Sequence, residues 1–164
     1  MTDIKLNTGY LPGLIGRIAE LHALYYHEHW GFGAFFEAKV ASELARFIAR
    51  YDADRDGVWT VTAGNRIEGS IVMDRPDESG QGAHLRWFIT SPEIQGQGWG
   101  GRLIDTAMDF CRNKGYEKVY LWTFEGLYPA RRLYEKAGFR LVEQHIGRQW
   151  GKEVNEQRFE ALLS

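Results

Sequence analysis

A run of glycine and glutamine, Gln95-Gly96-Gln97-Gly98-Trp99-Gly100-Gly101, leads straight into a helical pattern carried by Leu103, Ile104, Ala107, Phe110 and Cys111. Glycine lets a backbone approach a bulky anion and adopt conformations closed to other residues. The first turn of the following helix offers unpaired N–H groups and the positive end of its dipole. Together these predict a phosphate cradle. Three readings compete. Gly96, Gly98 and Gly101 satisfy the G-x-G-x-x-G spacing of a dinucleotide site, and Glu125 stands about where a ribose-binding acid is sought. Against it, Thr90-Ser91-Pro92-Glu93-Ile94 separates the preceding strand pattern from the glycines, and the 63 residues after Gly101 are few for a second nucleotide-binding half. A Walker loop fails, because no Gly-Lys-Ser/Thr follows. The second reading is the pyrophosphate of an acyl-CoA. The third is a tight connection with no ligand.

Another chemistry-bearing stretch is Tyr25-Tyr26-His27-Glu28-His29-Trp30-Gly31-Phe32-Gly33-Ala34-Phe35-Phe36-Glu37. Aromatic faces such as Trp30 and Phe32, with a carboxylate such as Glu37, can hold a cationic amine. The same aromatics can equally join two helices and fill the core. His22, His27 and His29 lack the helical i, i+4 spacing of a metal pair, and no cysteine is near, so no metal site is expected. Cys111 falls on the inward face of its helix and reads as a small buried hydrophobe.

The elements that must carry these residues follow from periodicity. Residues 3–7 read as a first strand. Leu14, Ile15, Ile18, Leu21 and Tyr25 mark a helix, with Pro12 just inside its start. Phe36, Val40, Leu44, Phe47 and Ile48 mark a second. Residues 58–63 and 66–73 are β-type runs around Gly64-Asn65, a two-residue hairpin signal of type II′. Residues 84–90 form a strong strand candidate ahead of the glycine helix, which Gly115 should cap. A strand at 118–123, a helix at 129–136 and a strand at 139–143 follow. Residues 157–162 close the sheet as an edge or a neighbouring strand. The order βααβββαβαββ predicts an α/β sandwich with a partly antiparallel sheet.

Two blocks stand at the right places for a known family. The first is Gln95-Gly96-Gln97-Gly98-Trp99-Gly100, after Phe88-Ile89-Thr90. The second is Ala130-Arg131-Arg132-Leu133-Tyr134-Glu135-Lys136-Ala137-Gly138-Phe139. In that order, separated by a helix and a strand, they resemble the GNAT superfamily of N-acetyltransferases. The resemblance implies one α/β domain over residues 1–164, three-layered, with a mixed, mostly antiparallel sheet whose central parallel strands splay apart between flanking helices. It also implies acetyl-CoA as cosubstrate between those strands. The backbone of Phe88, Ile89 and Thr90 would pair with the pantetheine arm, and Gln95, Gly96, Gln97, Gly98, Trp99, Gly100 and Gly101 would hold the pyrophosphate. A primary amine, small-molecule or peptide, would attack the thioester directly in a ternary complex, with Tyr134 as the acid for the leaving thiolate. The segment holding Trp30, Phe32 and Glu37 would line the acceptor pocket. The base is left open among Glu37, Glu125, His84 and a water chain. Leu127 departs from the family's usual Asn, so a contact to the cofactor or the helix start is lost or supplied otherwise. A non-catalytic acyl-CoA sensor on the same fold is the alternative. Family habit also admits a homodimer, with Trp150 and the last strand at its interface or Trp150 in the core.

Composition agrees with a folded domain: 164 residues, 44% hydrophobic and 26% charged. That length suits one core. The net charge of −2 argues against a nucleic-acid binder. It is unevenly spread, with a balance of −4 over residues 1–99 and +3 over residues 100–148, so an anion sits better on the second segment. No apolar run approaches the ~18–20 residues of a membrane span. The N-terminal sequence lacks the pattern of a signal peptide, and the single cysteine excludes an intrachain disulfide, so a cytoplasmic location is expected.

Overall fold

A computed structural model describes residues 3–163. The elements run β1 (Ile4–Thr8), α1 (Leu14–Trp30), α2 (Ala34–Ala49), β2 (Gly57–Ala63), β3 (Arg66–Asp74), β4 (Ala83–Thr90), α3 (Trp99–Lys114), β5 (Lys118–Phe124), α4 (Tyr128–Lys136), β6 (Arg140–Gly147) and β7 (Val154–Leu162). This is the order the periodicity predicts.

The seven strands form one sheet in the order β1-β2-β3-β4-β5-β7-β6. Every neighbouring pair is antiparallel except β4 and β5. Burial divides the sheet into two faces. Val58, Ile67, Val72 and Ile89 pack under α1 and α2 with Leu14, Ile18, Leu44 and Phe47. Trp59, Val61, Ile71, Met73 and Leu85 face the other way, against Leu103, Ile104, Ala107 and Met108 of α3. Central strands covered on both sides bury every residue, and in Ile67–Met73 those that are not large and apolar are small (Gly69, Ser70) or ion-paired (Glu68 with Arg17).

Several expectations change in detail. Pro12 lies before α1. Gly13 has φ +89, and Leu14 N donates to Leu11 O at 3.0 Å. Leu11-Pro12-Gly13-Leu14 is therefore a turn with proline second and left-handed glycine third, and the helix begins only afterwards. At the hairpin, Gly64 takes φ +63 and Ala63 pairs with Arg66, as expected of a two-residue loop. Strand β7 is not an edge: it lies between β5 and β6. Strand β6 is the edge, runs to Gly147, and starts after Phe139. Gly115 caps α3 with φ +76.

The feature that builds a site is the failure of β4 and β5 to stay together. Their parallel pairing is Ala83↔Val119 and His84↔Tyr120, and it stops there. Gly82, at φ +95, allows this close start: a Cβ there would sit 2.3 Å from the Lys118 carbonyl oxygen. From Leu85 onward the β4 backbone facing β5 has no sheet partner.

Candidate active site

On its other side, β4 also breaks register. Ser70 pairs with Ile89 but Val72 pairs with Arg86, so Trp87 and Phe88 together oppose Ile71. This is a β-bulge. Trp87 is the one non-glycine described residue with positive φ, at +45. A bulky aromatic there is strained by roughly 1–2 kcal/mol. Ser70, fully buried beneath it, donates from Oγ to the Trp87 carbonyl at 2.7 Å. Both residues of the bulge, Trp87 and Phe88, line the gap beside β5.

That gap is a cleft of about 740 Å³. Phe88, Ile89 and Thr90 line it, as do Gln95 and Gly96. The glycine loop follows a single turn of 3₁₀ helix at Pro92–Ile94, capped by Ser91 Oγ, which accepts from Glu93 N. Gln95 Nε2 donates to the Thr90 carbonyl at 3.2 Å and ties the loop back to β4. Gly96 and Gly98 have φ +77 and +83, and no atom lies within 4 Å of a Cβ built on either. Their glycine identity is required by backbone conformation, and the space above them is open. Gly98 occupies the N-cap of α3 without a side-chain cap, and the first turn carries no acidic residue. The N–H groups of Trp99, Gly100 and Gly101 begin the helix, and the positive end of the dipole is uncompensated. Gly100 has a different reason: its Cβ would stand 3.0 Å from Leu133 Cδ1 and 3.5 Å from Phe88 Cζ, so it lets α3 pack closely on α4 and β4. Trp99 lies under the Arg102 guanidinium, 4.2 Å from the ring centre. Gln97 is exposed, and Gly101 is half-buried in the first turn of α3.

Helix α4 brings Tyr134 to the cleft. It is the one buried side chain of that helix, packed 5.9 Å from both Phe88 and Phe139 between ring centres. Burial pushes its phenol well above the ordinary tyrosine value. Tyr26 of α1 lines the same cleft, and its phenol is pushed up by burial and by the neighbouring Tyr134 and Tyr25. Leu127 stands at the N-cap of α4 with no side-chain cap, where Asn would accept an N–H. The helix-start contact is therefore lost, and Leu127 instead packs with the aromatic cluster under α1 and α2.

Trp30, Phe32 and Glu37 are not among the cleft-lining side chains. Phe32 is buried among Tyr26, Phe36 and Phe124. Trp30 packs edge-on against Phe124 at 4.9 Å, and Glu37 is exposed. The wall is made by Tyr25, Tyr26, Phe36, Lys39, Val40 and Glu43, with Arg86 and Trp122 from the sheet. Phe36, Lys39, Val40 and Glu43 recur at i, i+3, i+4 and i+7, a helical face that the α2 sequence does carry. Trp150 also lines the cleft and lies 5.7 Å from Phe124.

Of the nominal bases, Glu125 accepts from Asn155 Nδ2 at 2.8 Å and does not line the cleft. His84 does line it, stacked 4.3 Å from Tyr120. Burial, then Arg86 and Arg158, lower its pKa to about 3, so it is a neutral ring near pH 7. Cys111 is fully buried, and burial pushes its thiol up to about 12, which makes it inert. Among the described residues no three His, Cys, Asp or Glu side chains cluster as metal ligands. Nor is any helix long and apolar enough to cross a membrane.

A split between parallel strands, a bulged β4 and a glycine loop ahead of a helix define an acetyltransferase architecture. The sequence profile of the Acetyltransferase (GNAT) family matches residues 16–139, and the chain belongs to that family. Among curated proteins, it is 27% identical over 109 residues to N-acetyltransferase 8B of Rattus norvegicus, covering 64% of this chain and 49% of that one. The chain thus spans about half the length of that relative. Among solved structures, a GNAT-family acetyltransferase of Staphylococcus aureus superposes with TM-score 0.78 at 15% identity, covering 99% and 100% of the two chains. A Salmonella typhimurium acetyltransferase structure containing its cofactor acetyl-CoA gives TM-score 0.73 at 16% identity, covering 98% and 94%. At such identities these structures speak for the fold.

Proposed function

We propose that the chain transfers an acetyl group from acetyl-CoA to a primary amine by direct attack in a ternary complex. The observation that carries this reading is convergence. The β4 backbone at Phe88–Thr90, without a strand partner on its β5 side, the Gln95–Gly96 end of the glycine loop and Tyr134 all line one cleft. The pantetheine arm would run along β4 as an added strand. The pyrophosphate would rest on the N–H groups from Gln95 to Gly101 and the positive end of α3.

The amine lone pair attacks the thioester carbonyl carbon, and the π electrons move to oxygen. A backbone N–H at the bulge stabilises that oxyanion. The oxyanion collapses, the C–S bond breaks, and the pair stays on sulfur. Tyr134 gives its phenolic proton to that sulfur, and the ammonium proton of the product leaves through water to restore the phenol. Burial holds Tyr134 protonated until this step. The same desolvation raises the basicity of the departing thiolate, so proton transfer from a weak acid becomes favourable only as charge develops.

The test is acetyl-CoA titration by calorimetry alongside amine-dependent CoA release, for the wild type and Tyr134→Phe. The variant is expected to bind acetyl-CoA with unchanged affinity and to lose about 10²-fold or more in kcat. Equal turnover by Tyr134→Phe sinks the acid role. A wild type that binds acetyl-CoA yet releases no CoA with any amine would be a sensor rather than an enzyme.

A further inference from the structure

The charged groups on the cleft wall point to the acceptor's chemistry. Three side chains carry charge there: Lys39, Glu43 and Arg86. Glu43 is the one carboxylate among the described residues lining the cleft, and it is already satisfied. Lys39 Nζ contacts its Oε2 at 2.5 Å, and Arg86 Nη2 contacts its Oε1. Both cations also lower the Glu43 pKa despite its burial, so the trio holds a stable balance of +1. No free carboxylate is left to pair with a cationic acceptor.

Arg86 has spare capacity. Its guanidinium lies over the Trp87 ring, 4.1 Å from the centre, and among the described residues only Nη2 donates a hydrogen bond. A guanidinium fixed on an aromatic face with N–H groups to spare matches a carboxylate. Its place in the chain separates it from the cosubstrate's phosphates. The glycine loop follows the C-terminal end of β4, whereas Arg86 lies before the bulge, toward the N-terminal end. Tyr25, Phe36, Val40 and Trp122 give the cleft that Arg86 lines an apolar and aromatic wall.

We propose that the acceptor is an amine that also bears a carboxylate and an apolar or aromatic side chain, an amino-acid-like molecule whose anion is held by Arg86 and Lys39. This rests on the acetyl-transfer reading above. The net positive wall would also lower the pKa of the acceptor's ammonium and favour the neutral, attacking amine. A polyamine finds no unpaired carboxylate in the cleft, because Glu43 is already held by Lys39 and Arg86.

The experiment compares kcat/KM for the standard amino acids, their α-amides and spermidine at saturating acetyl-CoA. At least one apolar or aromatic free acid is expected to exceed its own amide by about tenfold or more. Arg86→Gln should collapse that acid-to-amide ratio, and Glu43→Gln, which removes the competing anion, should keep or raise it. A merely structural salt bridge would lose activity in both variants and leave the ratio unmoved. Amides or spermidine used as well as the acids overturn the proposal. So does failure to acetylate any free acid by a protein that binds acetyl-CoA. Failure to bind acetyl-CoA at all would instead overturn the transferase reading.

Discussion

Replacing Ser70 with alanine tests whether the β4 bulge is held in place or merely tolerated. The Ser70 hydroxyl is fully buried and donates to the Trp87 carbonyl at 2.7 Å. Its loss removes a net ~1 kcal/mol hydrogen bond, and leaving the carbonyl unsatisfied brings the cost to about 1–3 kcal/mol. That is comparable with the ~1–2 kcal/mol stored by Trp87 at φ +45. Without the restraint the two terms no longer favour the bulge, and Trp87 relaxes toward ordinary strand geometry. The thermal midpoint should fall by about 3–10 °C for a domain of this size. The backbone at Phe88 and Ile89 should shift by roughly 1 Å, and kcat should drop by about 10²-fold. The control is Val72→Ala on the same strand. Val72 is also fully buried, and its truncation costs a similar ~1–3 kcal/mol without touching the Trp87 carbonyl. Amine-dependent CoA release and differential scanning calorimetry read both variants. If Ser70→Ala loses stability but keeps the kcat of Val72→Ala, the bulge is not maintained by this bond and the argument fails.

Two further outcomes follow from the site and its surroundings. Gly98→Asp places a carboxylate at the N-cap of α3, where it suits the helix, at a φ of +83 that costs about 1 kcal/mol. Stability should change by less than about 1 kcal/mol while acetyl-CoA binding by calorimetry is lost; retained binding would mean the phosphates lie elsewhere. His22 is buried with Nδ1 2.8 Å from the Ile18 carbonyl, and burial lowers its pKa to about 4. Because the folded pKa is depressed, its contribution is fully present above about 6.5 and is lost as pH falls toward 4. Urea unfolding should therefore show about 1 kcal/mol less stability at pH 5.5 than at pH 7 from this residue. His22→Leu should flatten the dependence by that amount, and an unchanged slope would refute it.

The order of elements was legible because each has its own period and its own punctuation. The glycine loop was legible because left-handed backbone at Gly96 and Gly98 and close packing at Gly100 all demand the same residue type. Edge and interior strands were harder to separate. Strand β6 carries Glu143, Gln144 and His145 because an exposed edge needs no apolar face, so its pattern fades before its hydrogen bonding does. Pro12-Gly13 is a turn signal as much as a helix start, and the left-handed Gly13 decided between them.

The acceptor wall was harder still, for a physical reason. An aromatic-rich stretch states how much apolar surface must be hidden, and leaves open which ring faces the core and which the cleft. That choice is the phase at which α1 and α2 dock on the sheet. It sends Phe32 inward, leaves Glu37 in solvent, and presents Tyr25, Tyr26 and Phe36 to the gap. The Glu43–Arg86 pair depends on the same phase, because it joins residues far apart in sequence. Local pattern can specify the half of the cleft proposed for the cosubstrate, where one glycine loop carries most of the signal. The acceptor half is assembled from two helices and two strands, so its charge becomes readable only once they are packed.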